Sequence, residues 1–443
     1  MKQAPGSRTA PPLLLAGGVI ADGEELFLSD GGLLIREGKI AAVGPSGQVR
    51  AQARRLAGCE TLELKGRLVL PGLLNPHHHL YSSLAVGLAP REPAGTFLQL
   101  LESHWWRLDS ALDEESIAAS ALVGVVESVK NGVTMIFDHH ASMGCVRGSL
   151  RLVEGAFRQA GIKGLLCFEA SGRGGQERIE EHFAENLDFW KGRKEGDTVK
   201  AAFGLHAGLT LSDRSLARAA ELKPEAMPIH VHCGEDEADL RAALQLGYQG
   251  PVHRLRAFGL LSRDSLLAHA LHLSEQDYRL IEELKPIVVS APESNANNRV
   301  GRMDRSRIRR YLLGTDGMTG DLLLTLRSQL LLGEGRHESL PGLGEAFFAY
   351  KREVQQRFFP DTGSLKPGFR ADLVVLDYVP RTPIHPGNLL AHLIFGAGRG
   401  PAHLTMADGL ILYREGRIAF LDEEELNQRA AEAAAKLKER YDA

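Results

Sequence analysis

Five separated fragments of the chain carry the residue types of one metal site: His77-His78-His79, His206, His230-Val231-His232-Cys233-Gly234-Glu235, His269 and Gly314-Thr315-Asp316-Gly317. Each follows a short apolar run, so each imidazole or carboxylate is delivered from the C-terminal end of a strand. Catalytic groups of a parallel α/β barrel converge from such ends. Nitrogen and carboxylate donors with no cysteine partner favour a hydrolytic metal over a structural one, which draws on thiolates. His77 and His79 are two apart, so on an extended strand they face one side while His78 faces the other. His230 and His232 repeat that pattern, and Glu235 follows beyond the strand. A metal lowers the pKa of bound water from ~15.7 towards ~7, and a carboxylate beside it can move the proton to a leaving group.

Several of these residues have a plainer reading. His230 reads equally as a ligand or as a packed neighbour of the ligands, and Cys233 as a small buried hydrophobe. Asp316 would be a turn residue in isolation; at the end of a last barrel strand it becomes a ligand or a base. His269 is placed to polarise the attacked carbon's substituent or to hold the hydroxide, and His272 reads as structural.

The elements that must position these groups alternate regularly. Strand-like runs fall at 68–70, 134–138, 162–167, 201–205, 228–231, 266–268, 286–289 and 311–313, separated by amphipathic helical segments such as 114–130 and 274–284. Eight strands in alternation with helices predict a closed (β/α)8 TIM-type barrel over 68–362. The run Leu34-Ile35-Arg36-Glu37-Gly38-Lys39-Ile40 is echoed by Leu412-Tyr413-Arg414-Glu415-Gly416-Arg417-Ile418. Both read as strand, tight turn, strand. Residues 1–67 and 363–443 are therefore expected to form a small discontinuous β-sandwich domain plus a terminal helix over 422–441, capped by Asp422.

Composition narrows the class. With 24% charged and 44% hydrophobic residues the chain is an ordinary globular protein. Its net charge of −4 gives no electrostatic case for nucleic acid or an anionic membrane. Cys59, Cys145, Cys167 and Cys233 form no Cys-x-x-Cys pair, which argues against a disulfide framework or a zinc finger. The apolar run 13–16 is too short for a signal or membrane segment, so a cytoplasmic location is expected. Gly396-Ala397-Gly398-Arg399-Gly400 lacks the strand–helix context of a phosphate cradle.

In order, Pro71-Gly72-Leu73-Leu74-Asn75-Pro76-His77-His78-His79, His232-x-x-Glu235, His269 and Gly314-Thr315-Asp316 resemble the signature of the amidohydrolase superfamily. The chain looks like its cytosine-deaminase, guanine-deaminase and triazine-chlorohydrolase branch, and within that branch the aminohydrolases called SsnA. Supporting stretches are Leu80-Tyr81-Ser82, Trp105-Trp106-Arg107-Leu108-Asp109, Phe137-Asp138-His139-His140-Ala141-Ser142, Ser294-Asn295-Ala296-Asn297-Asn298 and the 363–373 passage. The resemblance implies one divalent ion, zinc favoured over iron(II), on His77, His79, His232 and Asp316. It further implies Glu235 as proton shuttle, His269 as the group orienting hydroxide and substrate, and Asp316 doubling as base. His206, Trp106, His140 and Asn295 would meet the substrate, although a Trp105–Trp106 core face is an equal reading. Binuclear relatives carry a modified lysine at the end of strand four. Here that strand runs into His206, and Lys200 lies at its start, which favours one metal.

The expected reaction is hydrolytic deamination of an amino-substituted nitrogen heterocycle by a metal-bound hydroxide. Hydrolysis of another C–N or C–Cl bond on a similar ring, or a metal-bound scaffold without turnover, are the alternatives. The expected partners are a small-molecule substrate and a second copy in a homodimer. Two departures from the resemblance stand out: a short helix alone between 298 and 312, and a short interval from 316 to 363. Glu293 could meet a cationic or amide-bearing substrate, or be a solvated loop carboxylate.

Overall fold

The computed structural model describes residues 11–23, 25–90, 93–333 and 340–443. Two parallel sheets carry the histidine fragments. One pairs β1 (Leu73–His78), β2 (Val133–His140), β3 (Lys163–Phe168) and a short strand, Val199–Ala201. The other pairs β4 (Phe203–Ala207), β5 (Ile229–Cys233), β6 (Leu266–His269), β7 (Ile287–Ser290) and β8 (Leu312–Leu313). Single parallel bridges, His78 with Asp316 and Ala170 with Leu205, connect the two sheets at both flanks. All eight labelled strands are buried throughout, as parallel strands covered on both faces must be. Leu74, Phe137, Leu165, Leu266 and Val289 form one enclosed cluster, sealed by Phe358 and Phe359 from helix Lys351–Phe358 and the residue after it.

The helices between the strands start where the sequence supplies caps. Asp113 and Ser116 form a capping box at Glu114–Lys130, and Ser274 and Asp277 another at Glu275–Leu284. The terminal helix Glu423–Asp442 is capped by Asp422 and packs on Glu114–Lys130. Among the described residues, no helix is long and apolar enough to cross a membrane.

The remaining strands form a nine-stranded sheet drawn from both ends of the chain. They are joined by hydrogen bonds into one continuous sheet. The echoed motifs are its two terminal hairpins. Glu37 and Gly38 turn with φ of 53° and 77°, Glu415 and Gly416 with 48° and 87°. Two successive left-handed residues suit the twist of a two-residue hairpin loop, which is why the same Glu-Gly pair recurs.

The run at 68–70, read from the sequence as the first parallel strand, belongs to this sheet instead. Leu68–Pro71 pairs with Leu13–Ala21 and with Leu373–Val375. The chain changes sheets at Gly72, where an added Cβ would lie 2.2 Å from Thr134 Oγ1. The division between the sheets therefore falls near residue 72. Strand four is interrupted at Ala202, and the helix expected between 298 and 312 lies earlier, at Pro292–Asn298. Part of the 316–363 interval, residues 334–339, lies outside the described residues.

Lys163 at the start of β3 ties the two units together. It is buried, and its Nζ lies 2.9 Å from both Asp372 Oδ2 and Asp408 Oδ1. Lys163→Met, which strands Asp372 without its cation, should lower unfolding free energy by about 3 kcal/mol, read from the denaturant midpoint. Lys163→Met/Asp372→Leu should recover most of that loss. An equal loss in both variants would place the effect in packing rather than charge.

Candidate metal and active site

Hydrogen bonds orient the rings of His79, His77 and His269, while His232 Nδ1 has no partner. His79 Nδ1 lies 2.6 Å from the His139 carbonyl oxygen and must donate to it, so His79 Nε2 carries no proton in the neutral ring. That Nε2 sits 3.1 Å from His232 Nε2 and 2.8 Å from Asp316 Oδ1. His77 Nε2 is 3.2 Å from the same carboxylate oxygen, and His77 Nδ1 shares a proton with His230 Nε2 at 2.9 Å. Donor atoms of His77, His232, His269 and Asp316 lie within 4.8 Å of one another. His77 Nε2 and His269 Nε2 are buried with no hydrogen-bond partner. This all-nitrogen and carboxylate set fits a divalent cation.

The electrostatics agree. Burial pushes His77 down to about 3 and holds His230 and His232 well below the usual imidazole range, so these rings are neutral donors at pH 7. Burial also works against a charge on His79, but the facing Asp316 carboxylate outweighs it and raises the ring to about 9. Asp316 is held well below the usual carboxylate range by His79 and His77 despite its burial. A proton sits where a cation would otherwise bind, the usual competition at such sites. His269 and Asp316 both have positive φ, 72° and 54°, a rare state for residues with side chains that clusters at functional sites.

Neighbours hold each group in place. Asp316 Oδ2 accepts from Ser294 Oγ at 2.5 Å, and His269 Nδ1 donates to Asn295 Oδ1 at 2.8 Å. His78, on the other side of β1, donates to the Asp316 carbonyl at 2.7 Å and meets Thr315 Oγ1 at 2.9 Å, locking β1 to β8. Glu235 Oε2 stands 3.6 Å from His269 Nε2, and burial raises its carboxyl to about 7. A cleft of about 590 Å³, counting its open mouth, exposes His79, His232, Glu235 and Asp316 at its base and Trp105, Trp106 and Phe97 at its sides.

The residues read from the sequence are not all brought to this cleft. His206 and Trp106 line it, with the Arg173 guanidinium 4.6 Å from the Trp106 ring. His140 is a correction: it does not line the cleft and pairs with Ser142 Oγ at 2.9 Å. Strand alternation turns its neighbour His139 toward the site instead. Asn295 reaches the site only through His269, while Ser294 and Asn298 form the wall. Glu293 is neither a substrate group nor a free loop carboxylate, since it accepts from Thr325 Oγ1 at 2.9 Å and Ser328 Oγ at 3.2 Å. His272 is structural, bonded to the Val300 carbonyl at 2.6 Å. Glu169 was missed, although it has the same signal as the others: a carboxylate directly after the apolar run of β3.

A family model described as the amidohydrolase family matches residues 68–412. The chain is 26% identical over 446 aligned residues to a 5-methylthioadenosine/S-adenosylhomocysteine deaminase of Symbiobacterium thermophilum, covering 96% of this chain and 99% of that relative. Its fold is similar to an adenosine deaminase from Xanthomonas campestris with bound zinc, at a TM-score of 0.81 and 22% identity, covering 96% and 98% of the two chains. It is also similar to the zinc complex of an atrazine chlorohydrolase from Arthrobacter aurescens, at a TM-score of 0.76 and 22% identity, covering 95% and 100%.

Chelator-treated protein should regain stability when zinc is added, by about 4 kcal/mol at a thousandfold excess over Kd, read as a rise in Tm. His79→Ala and Asp316→Ala should show little rise. A full rise in both variants would place the ion elsewhere.

Proposed function

Because this chain belongs to the amidohydrolase family, we propose that it is a mononuclear zinc-dependent deaminase that hydrolyses the exocyclic amino group from a nitrogen heterocycle. The adenine-type ring of its methylthioadenosine and adenosine deaminase relatives is the first candidate. The observation that carries this reading is the meeting of His79 Nε2, His232 Nε2 and ionised Asp316 Oδ1 beside the buried carboxyl of Glu235, all in one cleft, with a proton on His79 holding the place a cation would take. The two parallel sheets, joined at β1–β8 and β3–β4, are read as one (β/α)8 barrel starting at Leu73, with the nine-stranded sheet as a second small unit. A homodimer in the cytoplasm belongs to the same proposal.

An ion on His77, His79, His232 and Asp316 would acidify water and polarise the carbon under attack. The chain supplies the rest. His269, held by Asn295 through Nδ1, keeps Nε2 free to accept a hydrogen bond from the attacking water and orient it, the water's proton going elsewhere. Glu235 accepts that proton and passes it to the ring nitrogen or the departing amine; burial places its carboxyl close to the pH at which both steps run. Trp105 and Trp106 offer flat apolar surface to a planar ring.

Glu235→Gln should retain zinc while lowering kcat by roughly 10²–10⁴. Loss of the ion in that variant would make Glu235 a ligand rather than a proton carrier. Glu235 must be ionised to accept a proton. Its carboxyl lies at about 7 without an ion, and a nearby cation moves it lower. The acid limb of kcat/KM should therefore fall below pH 7 and vanish in the weakly active Gln variant; a limb that persists there belongs to another group.

Side-by-side turnover of matched amino- and chloro-substituted purines, pyrimidines and triazines tests the reaction class, with ammonia and chloride as readouts. Ammonia release is expected. Chloride alone would move the chain to the dechlorinating chemistry of its triazine-acting structural neighbours.

A further inference from the structure

The β3–β4 side of the cleft carries a buried carboxyl for which the reaction above has no use. Glu169 follows β3 directly and lines the cleft with His206, Trp106 and Asp109. The two strands approach closely here: a Cβ on Gly204 would lie 2.1 Å from the Phe168 carbonyl oxygen, so only glycine lets Glu169 and His206 come together. Donor atoms of Glu169, His206 and His232 lie within 4.8 Å of one another, which puts this carboxyl beside the reacting centre.

A chain of hydrogen bonds fixes where its proton resides. Thr210 Oγ1 donates its one proton to the Ala207 carbonyl at 3.0 Å, so at 2.8 Å it accepts from His206 Nδ1. The other ring nitrogen, Nε2, is left bare and faces Glu169 Oε1 at 3.4 Å. An ionised carboxylate would set lone pair against lone pair at Oε1, while Oε2 lies 3.7 Å from the buried and otherwise unpartnered His139 Nδ1. Burial raises the carboxyl and holds His206 well below the usual imidazole range, while the His79 and Arg173 charges pull the carboxyl the other way; the bare Nε2 facing Oε1 is what favours the acid form.

We propose that Glu169 is held as a neutral carboxylic acid by His206 and determines specificity for the leaving group. Its hydroxyl is engaged by His206 Nε2, and its carbonyl oxygen accepts a hydrogen bond from the substrate's exocyclic amino group. An amino substituent has the N–H this oxygen needs. A chloro substituent, or the oxo group of the product, presents only lone pairs and is disfavoured. The leaving-group role rests on the deaminase reading; the state of the carboxyl does not.

Glu169→Gln is the informative variant, because an amide donates to His206 with its nitrogen and accepts from the substrate with its oxygen, as the neutral acid would. The infrared difference between zinc-loaded wild type and Glu169→Gln at pH 7 should show a protonated carboxyl C=O stretch. Carboxylate bands in its place would overturn the proposal whatever the turnover. Adenosine with 6-chloropurine riboside, and adenine with 6-chloropurine, serve as matched probes. In variants with wild-type zinc content, Glu169→Gln should stay within about threefold of wild type, whereas Glu169→Ala should lose roughly tenfold or more in kcat/KM on the amino probe and little on the chloro probe. Equal losses on both probes, or a Gln variant as impaired as Ala, would overturn the specificity role. A second tightly held zinc lost in Glu169→Gln would make Glu169 a ligand and also overturn it. No ammonia from wild type, with the protonated band present, would refute the deaminase reading and the leaving-group role together while leaving the neutral carboxyl established.

Discussion

Two buried imidazole nitrogens, of His79 and His232, meet 3.1 Å apart at the strand ends of this protein, with the Asp316 carboxylate oxygen 2.8 Å from the first. Burying polar atoms without partners is expensive, so the arrangement persists only because the surroundings impose it. The His139 carbonyl fixes the proton of His79, His230 that of His77, and Asn295 that of His269. The left-handed backbone at His269 and Asp316 adds strain to the same place. A divalent cation would displace the His79 proton and satisfy the inward nitrogens and the carboxylate together, which is why the proposed chemistry begins from it.

The scaffold makes that convergence rigid. Strands buried on both faces cannot shift register without exposing apolar side chains. The pairing of His78 with Asp316 locks the two donor-bearing flanks, while glycine at 204 brings β3 and β4 close enough for Glu169 to meet His206. Two carboxyls then flank the reacting centre, both raised by burial but in different company. Glu235 faces His269, whose buried Nε2 has no hydrogen-bond partner, and is suited to carrying protons. Glu169 faces His206, whose protonation is already set by Thr210, and is suited to keeping one.

Much of this was legible in the sequence because the donors come as strand-end motifs, where residue type and spacing both carry information. His77, His79, His232, His269 and Asp316 were found that way, and so were the capped helices and the two Glu-Gly hairpins. The failures have physical causes. The 68–70 run looks like any buried strand, and only the tight passage at Gly72 reveals that the chain changes sheets there. His140 and His139 are adjacent, and choosing between them requires the strand's phase, which the register of β2 supplies. Glu293 sits in a motif that suggested substrate, yet it serves the helix Leu322–Leu331, a long-range contact invisible to local spacing. Glu169 was passed over because a single glutamate after a strand has no partner in sequence; its partner, His206, lies a whole strand away.

The central claim is that one cation binds at the meeting point of these lone pairs. X-ray absorption at the zinc edge of the metal-loaded protein tests it most directly. The account requires a first shell of nitrogen and oxygen at about 2.0–2.1 Å, with the outer-shell scattering of three imidazoles. Sulfur at about 2.3 Å, fewer than three imidazoles, or a metal–metal vector at about 3.5–4 Å would contradict it.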